Sequence, residues 1–545
     1  MKKILLGIAI AVGLLLSLMI VRTFTYGGMP ASVQQVELPE PPQVDAETAA
    51  VHLSQVIQFP TITLSAGDPR PGTEQPWLDL QSWLKTTYPA FHAAAERETV
   101  PGGYTLLYTW QGSDPSLKPL LLMAHQDVVP VNIGTEGDWT GAPFAGEIID
   151  GYVYGRGTID DKGSLVGIFE ALDSLAASGF SPNRTVLVML GHDEEVSGSG
   201  AQAGVALMKS RGIEPVMALD EGLMVVSPSP LSGKTMGYVG IAEKGYMTVT
   251  ITALGEGGHS STPPRDSATV RLSRALIALD ENQMEADMSR PPTSDFLYAN
   301  APDMGFVQKF AVANQWLLGG LVEDGLSNIP VGNAMIRTTT APTMLVGSAK
   351  DNVLAQRAIA TVNFRIHPND TTESVLEHVR HVTRNIEGLE IAMAEGGIGS
   401  EASPVSPIDN LAYGVLAAVA TEVGDGAPVT PALVVGATDS RYAAEITSNI
   451  YRFAPAIMSP DELTGFHGTN ERISVANVGR LARGYAQIVM AMDAAKGEDR
   501  ARLTTPVADA PASGEVEATL ESDLPPTAPE PEQDDTLVET TEDPA

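Results

Sequence analysis

Between about residues 45 and 497 the chain alternates short unbroken apolar runs with stretches of helical period. Leu120–Ala124, Thr185–Leu190, Pro215–Leu219 and Ala432–Val435 are runs of four to six largely apolar residues. That length suits strands buried on both faces of a mostly parallel sheet. Apolar residues recur at helical spacing over Ser164–Ala177, Ala201–Ser210, Leu411–Val423 and Ile473–Ala494. Strand and helix patterns in alternation predict an α/β fold with a helix-covered, mostly parallel sheet.

From about 238 to 397 the pattern changes. Tyr246–Thr252 and Ala358–Ile366 alternate apolar and polar positions, as half-exposed antiparallel strands do, and helical patterns follow at Ala268–Leu279 and Thr372–Asn385. This predicts a smaller α+β lid unit inserted into the larger domain. The expected division is 45–237 and 398–497 for the larger domain and 238–397 for the insertion. Residues 290–335 read as loops and helices, with a mostly apolar stretch at Phe310–Val322.

The two ends differ from the middle. Lys2 and Lys3 precede an apolar run of 18 residues, Ile4–Val21, and Arg22 follows it. That is close to the roughly 20 residues a membrane-crossing helix needs. No clear small-x-small cleavage site follows, so residues 1–27 are expected to form an uncleaved signal anchor. The cationic N-terminus would stay cytoplasmic, leaving the bulk of the chain outside. The alternative is a cleaved signal and a secreted protein. Residues 28–44 are expected to be a stalk. Beyond Thr504 there are 12 acidic residues and no Lys or Arg, so 498–545 is expected to be a disordered acidic tail.

Composition narrows the chemistry. The chain carries 33 Lys+Arg against 67 Asp+Glu, a net charge of -34, which argues against broad binding to nucleic acid or anionic lipid. It contains no cysteine, which excludes disulfides, thiolate metal sites and a thiol nucleophile. The chain holds nine histidines. His125-Gln-Asp127, Asp160-Asp161, Asp193-Glu194-Glu195 and Asp220-Glu221 each follow a predicted strand or hairpin. Open α/β sheets bind ligands beyond the carboxyl ends of their strands. Four such clusters at one edge would repel one another unless cations sat among them. Imidazole and carboxylate donors suit zinc, with manganese or cobalt as alternatives.

The stretches MAHQDVVPV, GRGTIDDKGS, GHDEEVSGSGA, ALDEG, GGHSSTPP, GATDSRY and FHGTNERI resemble the di-zinc metallopeptidase superfamily of aminoacylases, carnosinases and glutamate carboxypeptidases. Within it they are most similar to the branch of Gly-X carboxypeptidases and N-fatty-acyl-amino-acid synthase/hydrolases. The resemblance implies a catalytic domain with two zinc ions and a lid that often mediates dimers. It implies metal ligands His125, Asp160 (bridging), Glu195, Asp220 and His467, with Asp220 expected rather than Glu221. It further implies that Asp127 orients His125, Glu194 is the general base and His259 stabilises an oxyanion. Asn352 and Arg365, and Arg441 in TDSR, would bind substrate.

The expected function is hydrolysis of an amide beside a free α-carboxylate, in a small peptide or an N-acyl amino acid. Synthesis of N-fatty-acyl amino acids by the reverse reaction, or a non-catalytic binding role on the same fold, are the alternatives.

Overall fold

The computed structural model describes residues 2–230, 232–394 and 399–494; the expected acidic tail lies outside them. The larger body is built on an eight-stranded sheet. Its strand order is Glu96–Thr99, Leu106–Trp110, Val186–Gly191, Leu120–His125, Met217–Val226, Ile450–Met458, Met236–Glu243 and Val429–Val434. The central pairings are parallel, and the Glu96–Thr99 edge is antiparallel.

Side-chain alternation divides the core between the two faces of this sheet. Leu120, Leu122 and Ala124 pack with helices Ala46–Ile57, Lys162–Ala177, Leu411–Val423 and Val475–Ala494. Leu121 and Met123 point the other way, onto helix Ser199–Ser210 and the segment carrying Ala443. Both sets are fully buried, so an unbroken apolar run was the correct signature for these strands.

A four-stranded antiparallel sheet forms the lid, in the order Thr339–Val346, Arg357–Ile366, Gly245–Leu254, Leu389–Met393. Met247, Val249, Ile251 and Ala253 face its two helices, Ala268–Glu281 and Thr372–Thr383, and form a separate core. The intervening Tyr246 and Thr248 face a cleft.

Three expectations change. A division between 237 and 238 cuts through Met236–Glu243, but this is one strand of the large sheet, so the small sheet begins at Gly245. Helix Thr293–Asn300 packs on the large sheet's edge strand Val429–Val434, through Phe296 with Ala432 and Asn300 with Thr430 at 3.0 Å. Residues 28–44 are not a free stalk: Val33 is buried, Val36 and Leu38 pack on the main core, and Glu40 pairs with Arg483 at 2.8 Å.

Candidate metal centre and active-site cleft

Parallel pairing places His125 opposite Gly191 at the carboxyl ends of adjacent strands. The segments that follow these strands therefore meet. His125 Nδ1 lies 3.0 Å from the Asp127 carbonyl and 3.3 Å from its carboxylate. A proton on Nδ1 satisfies that side and leaves Nε2 as the free donor atom. Nε2 is 2.9 Å from Asp160 Oδ1 and 3.4 Å from Glu221 Oε1. The other oxygen of Asp160 lies 3.0 Å from His467 Nε2, which is 3.1 Å from Glu195 Oε2. Asp160 thus bridges the two imidazoles, one oxygen to each.

Asp127 is fully buried and holds three neighbours at once. Its carboxylate accepts the N–H groups of Glu194 at 3.1 Å and Glu195 at 3.2 Å, and the hydroxyl of Thr63 at 2.8 Å. Burial works against its charge, yet His125 and these donors keep its carboxyl below the usual range. Asp127 thereby links His125 to the backbone of both glutamates.

The Asp-Glu-Glu triplet splits by role. Asp193 caps helix Ser199–Ser210, accepting the N–H groups of Ser199 and Gly200 at 3.0 and 2.9 Å. Glu195 turns to His467, and Glu194 faces the cleft. Burial, with Asp439, Glu221 and Glu195 nearby, pushes the Glu194 carboxyl well up despite His125.

Asp220, expected as a ligand, is directed elsewhere. Its carboxylate accepts the N–H of Ser440 at 2.7 Å and of Glu221 at 3.0 Å. The cause is a bulge. The ladder to the neighbouring strand runs from Asp220 (opposite Arg452) straight to Leu223 (opposite Phe453), leaving Glu221 and Gly222 unpaired. Gly222 has φ 134°, and a side chain there would collide with Arg452. The bulge aims Glu221, not Asp220, at His125.

A cleft of about 550 Å³ lies beside this cluster, lined by Glu194, Glu195, His467, Tyr246, Arg365 and Arg441. Arg365 stacks over Tyr246, its cross-strand neighbour, with 4.8 Å to the ring centroid. Arg441 donates to the carbonyls of Thr438 and Ser197 and lies 3.9 Å from Glu194. The structure does not bring His259 and Asn352 to this cleft. Both are exposed, and they meet on a two-stranded ladder where Ser260 N–H donates to Asn352 O at 3.1 Å.

The donor set fits a pair of divalent cations. The ligand atoms of His125, Asp160 and Glu195 lie within 4.8 Å of one another, as do those of His125, Glu194 and Glu221. Four carboxylates crowd two imidazoles. The Asp160 and Glu195 carboxylates hold the His467 imidazole up at about 10, and burial with Asp160 and Asp161 pushes the Glu221 carboxyl well up. Protons and cations compete for such a cluster.

Sequence reasoning passed over Glu471. Its buried carboxylate pairs with Arg156 at 2.6 Å and accepts the N–H groups of Gly157, Ile159 and Asp160. Its spacing, four residues after His467 in FHGTNERI, was the available signal.

Residues 121–491 match the model of peptidase family M20/M25/M40. The chain belongs to this family. It is 34% identical over 497 residues to the N-fatty-acyl-amino acid synthase/hydrolase PM20D1 of Xenopus tropicalis, covering 89% of this chain and 94% of that one. It is 32% identical to carboxypeptidase S of Saccharomyces cerevisiae, covering 80% and 83%. The fold is similar to an M20 metallo-carboxypeptidase from Sulfolobus solfataricus, with TM-score 0.59 and 17% identity over 82% of this chain and 99% of that one. It is also similar to human carnosine dipeptidase 1, with TM-score 0.54 and 16% identity over 84% and 100%. The M20 chain is accordingly a metallo-hydrolase acting on amide bonds.

Proposed function

We propose that this enzyme releases an amino acid with a free α-carboxylate from a small peptide or an N-acyl amino acid. The observation that carries the reading is the cleft itself. One wall presents the carboxylate Glu194, and the others present Arg365 and Arg441. Guanidinium groups grip a carboxylate bidentately. A substrate held this way presents its amide to Glu194.

His125, Asp160 and Glu221 would hold one zinc ion, and Asp160, Glu195 and His467 the other. Bound there, the pair would lower the pKa of water and polarise a carbonyl. Glu194 takes a proton from the attacking water as its oxygen bonds to the amide carbon. It returns the proton to the departing nitrogen as the C–N bond breaks. Glu194 carries that proton between the two transfers.

His259 and Asn352 serve the reaction through a homodimer. Strand Thr339–Val346 is an edge of the lid sheet, and Met344, Leu345 and Val346 on it are all exposed. Such an edge favours pairing with a second copy. His259 of one chain would then stabilise the oxyanion in the cleft of the other. Mixing inactive His259→Ala and Glu194→Gln chains should restore activity; no recovery in a demonstrated mixed dimer would contradict action in trans.

The N-terminal helix Lys2–Thr25 is read as an uncleaved anchor with the enzyme outside the cytoplasm. Its last two turns are built into the body, with Met19 3% and Thr23 1% exposed. The similarity to synthase/hydrolases supports a second reading at the same site, condensation of a fatty acid with an amino acid. The deciding experiment compares hydrolysis of N-acyl amino acids and dipeptides by zinc-loaded protein, and condensation in the reverse assay. No turnover in any arm, with about two metal ions bound per chain, would overturn the proposal.

A further inference from the structure

Helices Phe306–Ala313 and Gln315–Ser327 meet at a corner formed by Asn314. Their inner sides bury Val312 and Val322 in a small core with Phe296 and Leu297. Their outer sides leave Phe306 57%, Val307 79%, Trp316 57%, Leu317 53% and Leu321 65% exposed. From Met304 to Val322 the only charged residue is Lys309, in a chain whose net charge is -34. A contiguous apolar patch of this kind marks an interaction surface.

The chain itself says what covers it. Asn314 donates its side-chain N–H groups to Met19 O and Thr23 Oγ1, both at 3.3 Å. Arg22 donates to the Ala313 carbonyl, and the Phe24 and Phe306 rings lie 6.2 Å apart. The N-terminal helix therefore leaves the body at this same corner. Beyond it the helix stands clear: only 6% of its most apolar window is buried.

We propose that the outer sides of Phe306–Leu321 form a membrane-seated surface, resting in the outer leaflet of the bilayer that helix Lys2–Thr25 crosses. This rests on the anchor reading above. Met19 lies two residues inside the apolar end Val21, which is about 3 Å along a helix. The corner held to Met19 therefore sits at interfacial depth. Trp316 is the residue type that favours that level, and Lys309 is a long cation of the kind that reaches lipid phosphates from it. An apolar cavity of about 420 Å³, lined by Phe296, Met304, Val307, Leu321 and Ile329, lies between the same helices. A lipid leaflet, rather than a partner protein, is the occupant that continuity with the helix selects.

The native chain has no cysteine, so single-cysteine variants of the full chain each report one position. Leu317→Cys and Leu321→Cys would carry a nitrobenzoxadiazole fluorophore in phosphatidylcholine–phosphatidylglycerol vesicles with and without brominated acyl chains. Leu14→Cys reports the anchor. Gln202→Cys, exposed on the helix packed toward the opposite edge of the large sheet, is the control. The expected result is strong quenching at 14, 317 and 321 and none at 202. Quenching at 14 without 317 and 321 overturns the membrane-seated surface and leaves the anchor standing. No quenching at 14, 317 or 321 overturns both, and quenching at 317 and 321 alone supports the surface while removing the anchor.

Discussion

The backbone N–H of Asp160 donates to a carboxylate oxygen of Glu471 across 3.2 Å. Glu471 lies four residues beyond His467, so one buried side chain ties together the two segments that carry the shared carboxylate and the second imidazole. Glu471→Gln keeps one acceptor oxygen but turns the other into an NH2 donor, which faces either Arg156 and the Gly157 N–H or the N–H groups of Ile159 and Asp160. Glu471→Gln should weaken metal retention about 10–100-fold, the usual effect of losing such a support. Chelator competition measures this, and unchanged retention would show that the tie is unnecessary.

Asp220 and Glu221 should separate cleanly. Glu221→Gln removes a donor from the His125 side and should cost one of two metal ions while the protein stays folded. Asp220→Asn weakens the hydrogen bond from Ser440, worth about 1.5–3 kcal/mol for a charged acceptor. It should therefore lower the melting temperature more than the metal content. Metal analysis beside thermal unfolding distinguishes them, and the opposite pattern would return Asp220 to the ligand set.

Among the described residues no hydrogen bond is made by the Arg365 side chain, which stacks on Tyr246. Arg365→Met should raise KM for substrates with a free α-carboxylate by about 10–100-fold, the equivalent of one charge-assisted contact. Carboxamide analogues should show little change. Arg441 also bonds two carbonyls, so its substitution should lower stability as well as affinity.

The buried His367 imidazole is pulled down to about 4 by burial, with Lys244 adding to the effect. Its ring takes an N–H from Asn369 and contacts the Thr293 hydroxyl, both of which suit the neutral form. The unfolded chain binds a proton here near 6.5 and the folded chain only near 4. Stability from this site is therefore complete above pH 6.5 and is lost as pH falls toward 4, by up to about 1.4 kcal/mol per pH unit. Denaturant titrations should show that slope in the native protein and a shallower one in His367→Gln.

Much of this was legible in the sequence because it depends on local pattern. Runs such as Leu120–Ala124 predict doubly buried strands, and carboxylates placed just after them predict a site at the sheet edge. The rest depends on pairing that no local pattern encodes. Asp220 and Glu221 are adjacent and chemically alike; only the bulge opposite Arg452 decides which one faces His125. Met236–Glu243 borders the insertion in sequence, yet its partners in the large sheet are strands Val429–Val434, Ile450–Met458 and Met217–Val226. His259 and Asn352 lie in stretches that carry the family resemblance, yet within one chain they sit at a separate two-stranded ladder, His259 on it and Asn352 just before it.

Glu194→Gln is the most direct test of the central claim. The substitution keeps the side chain's size and removes its capacity to take a proton. With zinc content equal to the native enzyme, kcat for the best N-acyl amino acid or dipeptide should fall about 10²–10⁴-fold. An undiminished kcat at full metal content would contradict Glu194 as the base, and with it the mechanism built on this cleft.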